Sequence, residues 1–448
     1  MKTSNRDHYT GIELYVQVPE EEDMKQEEIE LAIDIGLSHG IRYTPGTGFV
    51  TWTGTRWQHD QEDGLTTAWL IGQALLSLKM PASLHNITTL RRCCQIAAPL
   101  QVPAEEWDAN PDLFGWANGI WNLRTMENLG FDPNLKVTRY SPYQPEEGRI
   151  SQYLAHVLEL CGDDDSLAGL LRDRAGYWLT GHTSLQELVV LESEGGRGKS
   201  TWARIIAGVM GQEYAGPAPA GLITREEGYL NRDYAVAGII GKRLLYQDEM
   251  ERGTQLNEAV LKALTGEGTL KGRAAYAREH IEVKPGARCL LLTNHPVRFT
   301  GLGRDMQRRL TYVKPHYSGD PGLPDLGRTE RILREEGNAL AYHLTLQAHI
   351  WLKSTPEARQ RLPKAVLEAR DGLFYDNDTA RQWLEERTEE GDKMASAEAL
   401  QSFRWWCDAA GLKPFGAVEF KRAMERLGLH YQIIEGRRFF RGRKLVGD

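Results

Sequence analysis

The chain has 448 residues, 41% apolar and 26% charged, which excludes a collagen-like or largely disordered protein and predicts about three globular domains. No apolar run approaches the ~18 residues of a membrane helix and the N-terminus carries no apolar signal segment, so we expect no membrane partner. The net charge of −8 is uneven, because residues 1–35 hold ten acidic and three basic residues, whereas residues 401–448 hold ten basic and five acidic residues.

The N-terminal part of the chain, residues 1–145, is rich in tryptophan and predicts an α+β domain. Alternation over Gly48 to Trp57 predicts a hairpin. Helical spacing predicts helices over Leu65 to Leu78 and over Leu84 to Ala97. The tryptophans are expected to be core residues more often than DNA-stacking residues. Three prolines mark the end of this domain: Pro133, Pro142 and Pro145.

Residues 146–318 alternate between helical and strand patterns. A helical pattern over 150–180 leads to a short apolar strand at 188–191, a glycine-rich turn and a helix from Lys199 to Met210. Further apolar strands follow at 244–246 and 289–292. Strands that alternate with helices predict an α/β fold with a parallel sheet.

The C-terminal part begins with a predicted helical lid and linker over residues 319–375, including a long helix over 329–352. Residues 376–448 then predict three helices followed by a hairpin that turns at Glu435-Gly436. This outline is typical of a winged helix. Its excess of basic residues indicates a surface that binds nucleic acid. Two alternatives are a surface that is only solvated and a surface that contacts a neighbouring subunit.

A phosphate-binding loop is the strongest local signal, at Ser-Glu-Gly-Gly-Arg-Gly-Lys-Ser-Thr between a strand and a helix. Glycines let backbone amides turn toward a polyphosphate, and the helix N-terminus favours its negative charge. Lys199 is predicted to reach the outer phosphates and Ser200 to hold Mg²⁺. The predicted nucleotide-binding residues are Glu194, Gly195, Gly196, Arg197, Gly198, Lys199, Ser200 and Thr201.

Three further elements follow this loop along the chain, and each offers a group that nucleotide hydrolysis can use. Asp248 and Glu249 end an apolar strand, where one carboxylate can bind Mg²⁺ and the other can polarise water. Asn294 ends the next strand and can lie near the terminal phosphate. Arg304, Arg308 and Arg309 then offer an arginine that could reach a neighbouring subunit's nucleotide.

The five cysteines form no Cys-x-x-Cys pair. A zinc knuckle is therefore not expected, and a disulfide framework has little support. Free thiols fit a reducing cytoplasm, in a bacterial or phage-infected cell.

With these elements in order, the chain resembles the superfamily 3 helicases of the AAA+ class, and more narrowly the primase-helicases of phages, plasmids and poxviruses. The resemblance also covers Asn118 to Thr125, Gly176 to Gly181, Lys262 to Glu267 and Tyr375 to Asp378. Two positions depart from the family pattern. Ser193 stands where the family usually has Gly, and Arg197 stands where it usually has Asn, so that Arg197 either touches phosphate or disturbs the site.

The resemblance implies an AAA+-type P-loop NTPase core with a parallel sheet, flanked by the α+β N-terminal domain and a C-terminal winged-helix module. It implies a ring, expected to be a hexamer, that uses ATP and Mg²⁺ to move 3′ to 5′ on single-stranded or forked DNA. Ser200 and Asp248 would hold the metal.

The resemblance also assigns roles to individual residues. The catalytic set would be Lys199, Asp248, Glu249, Asn294 and Arg309, with Arg308 as the alternate to Arg309. Glu249 is the better-supported carboxylate, because many members have Ser-Glu at this pair. A hairpin inside the ring would bind DNA through Lys271, Arg273, Tyr276 and Arg278.

Three other functions stay open. A primase would need a nucleotide-transfer site, which the residues before the helicase-like region do not offer, so priming is expected to come from a primase or polymerase partner. An origin-binding initiator or scaffold would use ATP only to close its ring. A P-loop ATPase that acts on protein would hydrolyse ATP without responding to DNA.

Overall fold

The computed structural model describes residues 25–60, 64–219, 221–225, 238–248, 250, 253–266, 268, 270–272, 281–283, 286–320, 322–323 and 325–446. The chain divides into two compact units, residues 1–109 with 133–138, and residues 110–132 with 139–448. No helix in the described ranges is both long and apolar enough to cross a bilayer.

The first unit combines three helices with an antiparallel sheet of order β1-β2-β3. Its elements are α1 (Gln26–Ser38), β1 (Ile41–Thr44), β2 (Gly48–Trp52), β3 (Trp57–His59), α2 (Leu65–Ser77) and α3 (Leu84–Ile96). The predicted hairpin and the two predicted helices are confirmed, whereas α1 and β1 were not predicted. Trp57 is buried in this unit, but Trp69 is 62% exposed.

The second unit opens with a small antiparallel sheet and two helices. These are β4 (Leu113–Trp116), β5 (Gly119–Asn122), β6 (Glu127–Asn128), α4 (Ser151–Leu160) and α5 (Asp165–Leu179). The predicted helical span over 150–180 is therefore two helices. The break has a local cause, because the Asp164 carboxylate accepts hydrogen bonds from the Ser166 and Leu167 amides and so begins α5.

A five-stranded parallel sheet forms the centre of the second unit, as predicted, with the order β15-β7-β14-β10-β8. Its strands are β7 (Leu188–Glu192), β8 (Ala215–Pro217), β10 (Leu244–Gln247), β14 (Arg288–Thr293) and β15 (Leu310–Val313). All of β7 and β14 is buried, which explains their unbroken apolar runs. The carboxyl ends of β7, β10 and β14 therefore share one edge of the sheet.

Shorter strands and several helices surround this sheet. They are α6 (Lys199–Met210), β9 (Thr224–Arg225), β11 (Gln255–Leu256), α7 (Glu258–Thr265), β12 (Leu270–Gly272), β13 (Ile281–Val283), α8 (Arg304–Gln307), α9 (Arg328–Lys353), α10 (Pro356–Gln360) and α11 (Lys364–Asn377). Helix α6 has the predicted bounds, and α9 extends the predicted long helix by one residue at each end. β12 pairs with β13 in antiparallel fashion.

Two buried arginines hold the C-terminal end of α5 against the sheet. Arg288 donates to the Tyr177 carbonyl at 3.1 Å, and Arg243 donates to the Leu113 carbonyl at 2.7 Å and also to the Leu179 carbonyl. Cations at a helix C-terminus satisfy carbonyls that have no partner inside the helix. Gly176 is required here, because a Cβ would lie 2.4 Å from the Gln347 Cβ. The Gly176–Gly181 motif thus has a packing role.

The tail of the second unit carries a three-stranded antiparallel sheet of order β16-β18-β17. In chain order its elements are α12 (Thr379–Arg387), β16 (Thr388–Ala395), α13 (Ser396–Ala409), α14 (Ala417–Arg426), β17 (His430–Ile434) and β18 (Arg437–Leu445). The three predicted helices and the hairpin are present. β16 was not predicted, and it pairs with β18 along most of its length.

All five cysteines are free and buried. Burial raises the pKa of the Cys161 and Cys289 thiols to about 12. These thiols are therefore protonated at neutral pH and do not act as nucleophiles.

A short joint at the end of α11 connects the central part of the unit to its tail. The Asn377 amide oxygen accepts from the Phe299 amide at 3.1 Å, and its nitrogen donates to the Val297 carbonyl at 3.1 Å. The next residue, Asp378, is 3% exposed. Its carboxylate accepts two hydrogen bonds from Arg426, at 2.8 and 2.7 Å. It also accepts one from the Arg381 amide in the first turn of α12.

Replacing Asp378 by alanine is expected to destabilise the tail by about 3 kcal/mol, because it removes a helix cap and leaves Arg426 without its carboxylate. The urea midpoint of the full chain, followed by circular dichroism, measures this loss. Asp371→Ala is the matched control, since that side chain is 64% exposed. Equal midpoints for the two variants would contradict the assignment.

Candidate functional site

The phosphate-binding loop leaves the carboxyl end of β7 and enters α6 at Lys199. Gly196 and Gly198 have positive φ angles of 80° and 86°. A Cβ on Gly198 would also lie 2.5 Å from Cε1 of His156. Glycine is therefore required at this position by both conformation and space.

Lys199 lies against its own loop and is 7% exposed. Its ammonium donates to the Ser193 carbonyl at 2.7 Å, to the Ser193 hydroxyl at 2.9 Å and to the Glu194 carbonyl at 2.9 Å. It also donates to the Asn294 amide oxygen at 2.8 Å. The structure therefore brings together Lys199 and Asn294, which are 95 residues apart in the chain.

Ser200 and Asp248 form the second pair at this edge. The Ser200 hydroxyl donates to Oδ1 of Asp248 at 2.7 Å, and Arg204 lies 3.5 Å from the other carboxylate oxygen. A hydroxyl and a carboxylate beside a phosphate-binding loop are oxygen ligands that suit Mg²⁺, which usually keeps several waters and takes few protein ligands. The two side chains thus fit the predicted metal.

An open cleft of about 250 Å³ joins these groups. Its lining includes most of the predicted nucleotide-binding residues, which are Gly195, Gly196, Arg197, Gly198, Lys199, Ser200 and Thr201, together with Asp248 and Asn294. Glu194 is outside this lining, and its carboxylate instead accepts from Arg197 at 3.0 Å.

Arg308 and Arg309 lie at the opposite edge of the sheet from the cleft. The Leu188 amide at the start of β7 donates to the Arg309 carbonyl at 2.7 Å, and Arg308 donates to the Gln186 side chain at 2.8 Å. The length of β7, roughly 16 Å at ~3.3 Å per residue, separates this edge from the phosphate-binding loop. Burial, and then the adjacent Arg308, lowers the pKa of Arg309. Neither arginine belongs to the cleft of its own chain.

The described part of the chain leaves out several of the predicted site residues. Glu249, Arg273, Tyr276 and Arg278 lie outside the described residues. Lys271 belongs to β12, and its side chain also lies outside the described part.

Five basic residues of the tail lie on β18, the second strand of the hairpin. Arg437, Arg438, Arg441 and Lys444 are exposed, and Arg443 is half-buried. Lys444 pairs with Glu389 at 3.0 Å across the sheet. The remaining exposed guanidinium groups leave positive charge along one strand.

The cleft also contains side chains that the sequence did not indicate. His156 of α4 lies against the loop, and its Nδ1 accepts a hydrogen bond from Arg328 at 3.0 Å. Arg328 also donates to Glu159 at 2.7 Å. Leu323 and Leu326 line the cleft with 96% and 89% of their surfaces exposed. A histidine at helical spacing is usually a core residue, so only the fold reveals its position beside Gly198.

Burial, reinforced by the Arg328 charge, lowers the pKa of His156 to about 4. The unfolded chain binds a proton at His156 near pH 6.5, whereas the folded chain does so only near pH 4. The unfolded state therefore holds more protons in this window, and the free energy of unfolding falls as the pH falls through it.

In a His156→Gln variant, the loss of unfolding free energy between pH 7 and pH 5 is expected to be smaller than in the wild type by roughly 2 kcal/mol. Urea unfolding at the two pH values measures this difference. His343→Gln is the control, because His343 is a half-exposed histidine outside the cleft. Parallel pH dependence in the His156 variant and the wild type would rule out the assignment.

Comparisons with known proteins support the expected relationship at the level of the family. Residues 34–159 match the family described as D5 N terminal like. Residues 191–309, which include the phosphate-binding loop, match a family of unknown function, DUF5906. Together with the fold, these matches support a relationship to the primase-helicase family. None of the curated proteins matches the chain significantly.

Solved structures of the C-terminal region of NrS-1 share the fold along nearly the whole chain. One apo structure in the A form has a TM-score of 0.51 at 10% identity and covers 93% of this chain and 98% of the other. A second one has a TM-score of 0.53 at 11% identity and covers 93% of this chain and 100% of the other. A further apo structure has a TM-score of 0.50 at 12% identity and covers 94% of this chain and 100% of the other. At this identity the likeness concerns the fold alone.

Proposed function

We propose that this relative of the primase-helicases is an ATP-dependent DNA translocase of the superfamily 3 helicase type, which serves the replication of a phage or another mobile genetic element. One observation carries the proposal. A single cleft brings together Lys199, Asn294 and the Ser200–Asp248 pair, which follow three strands of one parallel sheet. This is the set of groups that phosphoryl transfer to water needs.

In the proposed mechanism, the loop amides and Lys199 bind the phosphates of ATP. Bound Mg²⁺, held by Ser200 and Asp248, would neutralise charge on the phosphates. Asn294 would orient the terminal phosphate from its position beside Lys199. Glu249 would accept a proton from the attacking water, in accordance with the family motif.

The edge at which Arg308 and Arg309 lie supports an assembly with nucleotide sites between subunits. An arginine that cannot reach its own cleft can still reach the cleft of a neighbour in a ring. We therefore propose a closed ring, expected to be a hexamer, in which Arg309 completes the adjacent site and Arg308 is the alternate.

DNA is proposed to pass through the ring and to contact Lys271, Arg273 and Arg278 through its phosphates, with Tyr276 stacking on a base. Such contacts are independent of sequence and weaken with salt. The tail has the element order of a winged helix, and we propose that its basic hairpin contacts duplex DNA.

The test is ATP hydrolysis with and without single-stranded DNA, at low and moderate salt. We expect DNA to stimulate hydrolysis and added salt to reduce the stimulation. Hydrolysis that ignores DNA would favour an ATPase that acts on protein.

The exposed basic residues of β18 favour one alternative, an origin-binding initiator or scaffold that binds ATP with little motor activity. DNA binding without hydrolysis would support that alternative and contradict the translocase. Priming, in either case, is proposed to come from a separate primase or polymerase chain.

A further inference from the structure

Arg197, one of the two positions at which the phosphate-binding loop departs from the family pattern, contacts the short segment that follows β15. Arg197 donates to the Gly319 carbonyl, and its guanidinium lies 4.1 Å from the centre of the Tyr317 ring. Only 12% of the Arg197 side chain is exposed. The guanidinium therefore already has a carbonyl, a carboxylate and an aromatic face as partners.

Tyr317 is held from two other directions. Its hydroxyl donates to the Leu160 carbonyl at 2.7 Å. The chain next to it passes so close to Gly162 that a Cβ there would lie 2.0 Å from the His316 carbonyl oxygen.

Described residues that follow Tyr317 in the chain form one wall of the cleft. Leu323, Asp325 and Leu326 line the cleft, and the wall ends at Arg328, which His156 and Glu159 hold. The two leucines are almost fully exposed and offer an apolar surface to a ligand. The wall is thus anchored at one end by the phosphate-binding loop and at the other by α4.

We propose that Arg197 is a positioning residue, which together with Tyr317 forms a latch that sets the position of this wall relative to the phosphate-binding loop. The proposal rests on the proposed function insofar as the ligand is a nucleoside triphosphate.

The latch predicts a loss of nucleotide affinity with little loss of turnover. We expect Arg197→Asn and Tyr317→Leu each to raise the Kd of a fluorescent ATP analogue about tenfold, and the double variant to bind no more weakly than either single variant, because both changes break one unit. For Tyr317→Leu, which changes a residue outside the lining of the cleft, the kcat at saturating ATP should stay within about twofold of the wild type. Tyr317→Phe keeps the ring and should restore part of the affinity.

Tyr342→Leu is the matched control, since Tyr342 lies on α9, where its hydroxyl donates to Glu147 at 3.0 Å, outside the latch. Additive losses in the double variant would overturn the latch. So would a fall in kcat at unchanged Kd for Arg197→Asn, which would give Arg197 a role at the reacting phosphate.

A second measurement does not require nucleotide. Amide hydrogen exchange over residues 319–327 in the nucleotide-free chain is expected to be about tenfold faster in Arg197→Asn than in the wild type. Unchanged exchange would overturn the latch. If the wild type binds no nucleotide, the proposed function fails, whereas hydrogen exchange still decides whether the latch exists.

Discussion

Replacing Lys199 by alanine is expected to lower ATP hydrolysis about 10²- to 10³-fold, the usual cost of losing one donor to the charge that develops in a transition state. The ammonium is buried and lies 2.8 Å from Asn294 and within 3 Å of three loop acceptors. A water molecule in its place would supply no positive charge. The measurement is steady-state phosphate release in the presence of single-stranded DNA.

Lys364→Ala is the matched control, because it removes an ammonium that is 88% exposed and pairs with Glu368 at 3.2 Å. Surface pairs of this kind contribute little to stability. Hydrolysis by Lys199→Ala within a few-fold of this control would remove the phosphate-binding loop from the mechanism. Lys199→Arg keeps the positive charge but changes the shape of the group. We expect its ATP hydrolysis to stay impaired, since a planar guanidinium does not fit the place of a compact ammonium.

Replacing Arg309 by alanine is expected to lower hydrolysis by about 10³-fold or more, as for other arginines supplied by a neighbouring subunit. Nucleotide binding to the isolated chain should stay close to the wild-type value, because Arg309 lies at the far edge of the sheet from its own cleft. Arg334→Ala, which removes an arginine that is 70% exposed, is the control.

Mixing two inactive variants tests the neighbour relationship directly. A chain with Lys199→Ala still offers Arg309, and a chain with Arg309→Ala still offers Lys199. In a ring assembled from equal amounts, about one site in four would combine both intact groups, so we expect hydrolysis to return to about a quarter of the wild-type rate. No recovery on mixing would contradict a shared site. If Arg308→Ala and not Arg309→Ala shows the loss, the alternate residue is the one that acts.

The sequence was most informative where a local pattern and a tertiary role coincide. Strands β7 and β14 are apolar because the sheet buries both of their faces, so their positions and the placement of Asn294 at a carboxyl end could be predicted. Helix α6 begins at Lys199, as the glycines before it require. The pairing of Lys199 with Asn294 then follows from parallel strands alone.

Other features depend on contacts that no local pattern encodes. β16 has the sequence Thr-Glu-Glu-Gly-Asp-Lys-Met-Ala, which lacks alternation and is a strand because β18 pairs with it. Arg197 was expected either to touch phosphate or to disturb the site, but its partner Gly319 is 122 residues away. His156 gave no signal of its own, since its role depends on α4 passing beside Gly198.

The joint at Asn377 and Asp378 limits how this polypeptide can be divided. A fragment that stops before Asn377 removes the partners of two backbone groups at Val297 and Phe299, a few residues from Asn294. A fragment that starts after Asp378 leaves Arg426 without its carboxylate. A division between Asn377 and Asp378 would leave both sets of partners in place, so the joint confines any separation of the tail by gene fission to this one peptide bond.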